Sequence, residues 1–249
     1  MPRLIPSRLA AVCALALTLL LCGAAIAAAK GVPAELRVVG TGGRVLDEQN
    51  LRAGTTRLPT SHRATCLGKG TGGSGRQVTV NGPTALGLLA RAAKSDPALR
   101  PLLITDHFLS EFGLGLCGVG GVKSHGSYSW YLKVNHRNPQ VGGDSVKLHA
   151  GDEVLWAFAP YPYPDELSLV APSEATAGVP FTVRVFSYDD SGKRTPAAGV
   201  TVSGAGAPTG TDGVATVTLS QPAVLFAGHG KDIPSNRVAV CVSGACPQG

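Results

Sequence analysis

The chain has 249 residues, of which 44% are hydrophobic and 5% aromatic, with a formal net charge of +6. That length allows two modest domains after any leader. The basic residues Arg44, Arg52, Arg57, Arg63, Lys69 and Arg76 are spread along the chain with no aromatic among them, which argues against a nucleic-acid surface, where basic and stacking side chains interleave.

The chain opens with Arg3 and Arg8 ahead of an apolar run from Leu9 to Ala29, broken only by Thr18 and Gly23. Positive charge, then a leucine and alanine block, then Ala27-Ala28-Ala29 before Lys30, is the pattern of a secretory signal peptide with a small-residue cleavage site. Residues 1–29 are therefore expected to be removed, so that the membrane is met only in transit. An uncleaved anchor is the competing reading, because about 20 apolar residues span a bilayer; the alanine-rich end favours cleavage. Cys22 follows Leu21, which is too bulky for a lipoprotein signal. Beyond the leader the charge is uneven: Lys30–Asp165 holds 15 basic and 10 acidic residues, Glu166–Gly249 holds 5 and 6.

The first domain, over 30–159, is expected to start with a strand at Glu35–Val39, a turn at Thr41-Gly42-Gly43 and a return at Arg44–Leu46. An irregular stretch follows. It ends in Cys66–Gly75, a segment so rich in glycine that it reads as a mobile loop. Gln77–Val80 alternates as a strand, and Asn81-Gly82-Pro83 turns the chain, with Pro83 suited to a first helical position. Leu86, Leu89, Ala90 and Ala93 fall at i, i+3, i+4 and i+7, one apolar stripe of a helix for docking on a sheet. Asp96-Pro97 ends that helix and Leu102–Thr105 reads as extended, before a second glycine-rich loop at Phe112–Val122. Tyr128–Val134 is a strand rich in aromatic and alternating positions. Short strands at Val146–Leu148 and Glu153–Phe158 complete a small mixed sheet carrying one helix, an α+β unit.

Ala159-Pro160-Tyr161-Pro162-Tyr163-Pro164 is the boundary, since alternating prolines cannot continue a sheet ladder and favour a stiff, extended linker. The linker is placed at 160–166. Over 167–249, short strands are expected at Leu167–Val170, Phe181–Phe186, Gly199–Val202, Val214–Leu219 and Val238–Val242, separated by turns such as Asp190-Ser191-Gly192 and Thr211-Asp212-Gly213. With no helical period among them, the second domain reads as an all-β sandwich. Cys66, Cys117, Cys241 and Cys246 remain after processing. An even count in an exported chain reads as disulfides. Three connectivities are open, and Cys66–Cys117 with Cys241–Cys246 is preferred because each bridge then stays inside one domain. Zinc is set aside because the four lack the paired short spacings of a tetrahedral site.

Three segments carry a resemblance. Ser129–Asn135, Gln140–Gly143 and Ala150–Trp156, with a helix at Thr84–Ala90, resemble the exported bacterial domain similar to the C-terminal domain of transcobalamin, over roughly 36–159. Pro196–Val202, Thr211–Val217 and Ser235–Val240 resemble bacterial immunoglobulin-like modules. The resemblance implies a β-grasp-like first domain, an immunoglobulin-like second one, and binding rather than catalysis. It does not carry cobalamin with it, because transcobalamin encloses its corrinoid with a large helical domain that nothing here supplies. No cofactor is expected.

Catalytic patterns do not assemble. His62, Asp106 and Gly143-Asp144-Ser145 follow a serine-protease order, but Val146 comes next and the serine sits in a turn, without the backbone donors an oxyanion needs. Gly68-Lys69-Gly70-Thr71-Gly72-Gly73 matches a dinucleotide fingerprint with no helix after it, and that fingerprint works only at a helix N-terminus. His125 and His136 flank the strand Tyr128–Val134 with no evident carboxylate partner. Asp152-Glu153 would point to opposite faces of a strand, and Asp189-Asp190-Ser191-Gly192 reads as a hairpin turn rather than a calcium loop. Aromatic residues are the remaining lead. Tyr128 and Trp130, with Tyr161 and Tyr163 between the prolines, are the candidate ligand-binding residues, at a domain junction where aromatic walls favour a small molecule or glycan. The expected function is a secreted, non-enzymatic protein that binds a small molecule, glycan or surface protein. An extracellular carrier of a cofactor- or corrinoid-like small molecule is the alternative, and an extracellular hydrolase has least support.

Overall fold

The computed structural model describes residues 31–247. The expected signal peptide lies outside them. Among the described residues no helix is long and apolar enough to cross a membrane. The fold is mainly β-structure with one α-helix.

In the first half, β1 (Val32–Val39) turns through a 3-10 segment at Thr41–Gly43 into β2 (Val45–Ala53). The first part of the stretch expected to be irregular is thus strand, continuing into β3 (Thr56–Pro59), which pairs with β4 (Gln77–Val80). Leu51, Ala53 and Leu58 pack into the core, so tertiary burial recruits residues whose local pattern is weak. Helix α1 (Ala85–Ser95) begins after Thr84, whose Oγ1 accepts a hydrogen bond from the Gly87 N–H at 3.0 Å. Thr84 is therefore the N-cap, and Pro83 precedes it rather than opening the helix. A hydroxyl that satisfies an orphan N–H outweighs proline's preset φ.

After a 3-10 turn at Pro97–Leu99 come β5 (Leu103–Thr105), β6 (Gly115–Val119) and β7 (Val122–Lys123). Most of the second supposed loop is thus the β6–β7 hairpin. The loop before Gln77 is also tied down: Thr71 and Gly73 are buried, and Thr105 Oγ1 donates to the Thr71 carbonyl at 2.6 Å. Glycine there serves close packing, since a Cβ on Gly72 would stand 2.3 Å from the His62 carbonyl oxygen. The Val146–Leu148 strand reduces to one isolated bridge, Thr84 to Lys147.

β8 (Tyr128–Val134) and β9 (Asp152–Pro160) complete a four-stranded sheet of order β2-β1-β9-β8. β1 runs antiparallel to β2 and parallel to β9, and β8 closes the row antiparallel to β9. Period-2 alternation sorts the side chains. Trp130, Leu132, Val154, Trp156 and Phe158 face the core containing α1. Tyr131, Leu155 and Ala157 face the other way, where Ile233 from the second half covers them. β9 is therefore buried on both faces, which explains its unbroken apolar run.

The second half contains β10 (Glu166–Val170), β11 (Glu174–Ala175), β12 (Phe181–Tyr188), β13 (Arg194–Pro196), β14 (Thr201–Val202), β15 (Val214–Val217), β16 (Ala223–Leu225), β17 (Ala227–Gly228) and β18 (Val238–Val242). β12 pairs with β10, β13 and β15, while β18 pairs with β11 and β16. Both groups of strands enclose a separate core containing Leu167, Leu169, Val185, Val217, Leu225 and Val240.

Candidate functional site

β8 is the outer strand of its sheet, and an open groove of about 810 Å³ lies beside it. Trp130, Leu132 and Trp156 form its floor, and the segment from Leu109 to Leu116 forms its far wall. Four large apolar side chains at its margin remain in solvent: Leu67, Leu109, Val141 and Phe112, the last 74% exposed. The floor is held in place. Trp130 Nε1 donates to the Val122 carbonyl at 3.0 Å, and the Trp156 ring lies against Gly143, where a Cβ would come within 2.7 Å of Cζ2. Asp144 Oδ1 accepts from the Leu114 N–H at 3.1 Å and so links the loop at 142–145 to the far wall.

The four aromatic candidates separate. Trp130 is in the groove floor and Tyr163 at its end. Tyr128 instead lines a second cleft of about 1140 Å³ between the two halves, together with Phe226, Arg44 and Lys231. Its ring stacks on those of His125 and Phe158, at 5.6 and 5.5 Å, and these two are 5.7 Å from each other, so the three rings form one cluster. Tyr161 is 72% exposed and touches Tyr163 edge-on. Tyr163 stacks on Tyr131 at 3.8 Å and shares a 2.7 Å hydrogen bond with Ser129 Oγ. Tyr163→Ala should therefore cost about 1–2 kcal/mol, from a lost aromatic pair and a lost hydrogen bond. Tyr161→Ala should stay within about 0.5 kcal/mol. Urea unfolding compares them, and equal midpoints would remove Tyr163 from the junction's supports.

The junction also holds a polar cluster that the sequence did not reveal. Arg37 donates to the Glu166 carboxylate and to the Pro234 carbonyl. Lys133 is fully buried, and its Nζ donates to the carbonyls of Tyr188 and Asp189 at 2.9 Å each, 3.9 Å from Glu166 Oε2. His136, expected to lack an acidic partner, places Nδ1 3.1 Å from Glu166 Oε1 and Nε2 3.5 Å from Glu153. The first of these contacts is off-line for a hydrogen bond. Its ring stacks on Tyr188 at 3.7 Å. The partners are up to 197 residues apart in sequence, so no local spacing announces them. Burial by itself pushes the Glu166 carboxyl up; the adjoining His136 ring and the Arg37 and Lys133 charges outweigh it and hold the carboxyl below the usual range. Burial pushes the Lys133 ammonium down, with Glu166 the main opposing influence.

No family model, curated protein or solved structure matches this chain.

The other chemical candidates have structural employment. Asp106 accepts from both the N–H and the hydroxyl of Ser74, at 2.6 Å each, and Asp144 is engaged with Leu114. Among the described residues no hydrogen bond joins His62, Asp106 and Ser145. Asp152 accepts from Asn135 and from the His149 N–H, while Glu153 points towards His136 on the other face. Asp189 Oδ1 accepts from the Ser191 N–H, the Ser191 hydroxyl and the Lys193 N–H, so the hairpin turn itself uses that carboxylate. The cysteines pair Cys66 with Cys117 and Cys241 with Cys246.

Proposed function

We propose that the chain is an exported, non-enzymatic binding protein whose binding surface is the groove beside β8. The observation that carries this reading is the convergence of Leu67, Leu109, Phe112 and Val141, all exposed, on one groove floored by two tryptophans and a leucine. Grouped apolar exposure of this kind costs solubility and marks interaction surfaces. Two disulfides fit an oxidising, extracellular setting. The sheet order β2-β1-β9-β8 with one packed helix supports a β-grasp-like first domain resembling the transcobalamin C-terminal domain. The short strands around a separate core support an immunoglobulin-like second domain that carries the first.

The alternative, a small-molecule carrier, is favoured by the cleft of about 1140 Å³ lined by both Tyr128 and Phe226. An apolar fluorescent anion, 1-anilinonaphthalene-8-sulfonate, separates the two. Under the groove reading it binds the secreted protein with energy transfer from the tryptophans, and the double variant Leu109→Asp/Phe112→Asp binds it about tenfold more weakly or worse. Binding that ignores this variant but falls with Phe226→Asp transfers the function to the cleft.

A further inference from the structure

We infer that the groove binds an extended segment of another polypeptide, which adds to the sheet as a further strand alongside β8. This rests on the groove being the binding surface. Asn135 N–H donates to the Glu153 carbonyl and Tyr161 N–H donates to the Ser127 carbonyl, and the β8–β9 register runs without a shift between those points. The N–H and C=O groups of the odd-numbered residues Ser129, Tyr131 and Lys133 therefore face β9, and those of Tyr128, Trp130, Leu132 and Val134 face outward. Tyr128 exchanges its outward bonds with His125, and Val134 exchanges its own with Arg137. Trp130 and Leu132 have no such partner: among the described residues no hydrogen bond reaches the backbone N–H or C=O of either. Four alternating backbone groups thus face the groove, between two local turns that satisfy their neighbours.

An unpaired window of this kind is what an added strand satisfies: main-chain bonds supply affinity and alternate side chains supply selection. The surrounding wall chooses between occupants. The window lies at the floor of a groove, with Trp130 and Leu132 each 7% exposed and the Leu109–Leu116 segment standing opposite. A single extended chain can enter such a slot, whereas the sheet edge of a second copy would meet the wall first. The charged side chains lining the groove are Glu111 and Asp144, both acidic. The matching segment therefore alternates large apolar and polar residues and carries a lysine or arginine.

The test uses the full secreted protein and a library of heptapeptides that alternate apolar and polar residues, each with one lysine. The inference expects members that bind, and a bound peptide should slow hydrogen exchange at the Trp130 and Leu132 amides about tenfold or more. The Tyr131 and Lys133 amides, already bonded to β9, should not change. Methylating the backbone nitrogens of the bound peptide should abolish binding at alternate positions only. The strand-addition inference is overturned by a library without binders, by unchanged exchange at Trp130 and Leu132, by tolerance of methylation at every position, or by a dimer that protects those amides unaided. The fluorescent-anion experiment stands apart from all of these: if the anion still responds to Leu109→Asp/Phe112→Asp while no peptide binds, the groove remains the binding surface and only its occupant is wrong.

Discussion

Glu166→Gln should lower the stability of the folded protein by about 3–5 kcal/mol at neutral pH, the usual cost of removing one partner from a buried ion pair. The substitution keeps the shape of the side chain and removes the charge. Arg37 and Lys133 are then left buried without their ion-pair partner, in a junction where Glu166 is 2% exposed and Lys133 is fully buried. Lys133→Met should cost less, about 1–3 kcal/mol, because it removes a buried charge while stranding the carbonyls of Tyr188 and Asp189. Glu153→Gln, at the solvent side of His136, should change stability by no more than about 0.5 kcal/mol. Urea midpoints at constant slope rank the three.

The same cluster sets an acid response. The Glu166 carboxyl is held below its ordinary value of 4.5 in the folded protein. In the interval between the two values the unfolded chain binds more protons, so stability falls as pH falls. The contribution is complete above the ordinary value and is lost as pH drops through the lower, folded one. Lys133 is depressed in the folded state, so stability rises as pH passes up through its folded value towards its ordinary one. Glu166→Gln should therefore flatten the acid limb and move the Lys133 limb to lower pH, because Glu166 is the main influence opposing that depression. A variant with wild-type stability at neutral pH, or with an unchanged acid limb, would show that the junction does not depend on this carboxylate.

The two disulfides should contribute unequally. Cys66–Cys117 joins residues 51 apart and Cys241–Cys246 residues 5 apart. Restricting the unfolded chain gives roughly 4 kcal/mol for the long loop and roughly 2 kcal/mol for the short one. Cys66→Ala/Cys117→Ala should lower the melting temperature well below that of Cys241→Ala/Cys246→Ala. It should also weaken binding in the groove, because Leu67 on the groove margin adjoins the lost bridge. Equal losses from the two pairs would falsify loop length as the source of the difference.

Helix α1, β4, β8 and β9 could be read from the sequence because their signals are local: a 3.6-residue apolar stripe, or alternation in a run of aromatic and β-branched residues. The four cysteines could be paired by keeping each bridge within one composition unit. β6 and β7 could not be read, since glycine lowers strand propensity and the hairpin Gly115–Lys123 forms only because β5 and the core supply its partners. The same holds for β2 beyond Leu46. Trp130 was legible as an aromatic in a strand and Tyr163 as a linker aromatic, but Leu67, Leu109, Phe112 and Val141 were not a group until folding assembled them. The nearest signal was Phe112 itself, a large aromatic residue in a glycine-bearing segment.

The sequence by itself determined the single helix and the aromatic strand, because each depends on residues within a dozen positions of one another. Only the tertiary structure decided that Glu166 would serve Arg37, Lys133 and His136, that the face of Tyr131 would be covered by the second half, and that β8 would be left as an edge. Those outcomes depend on which surfaces meet. Charge pairing and burial act through space over a few ångströms, whereas the chain brings these partners from up to 129 residues apart.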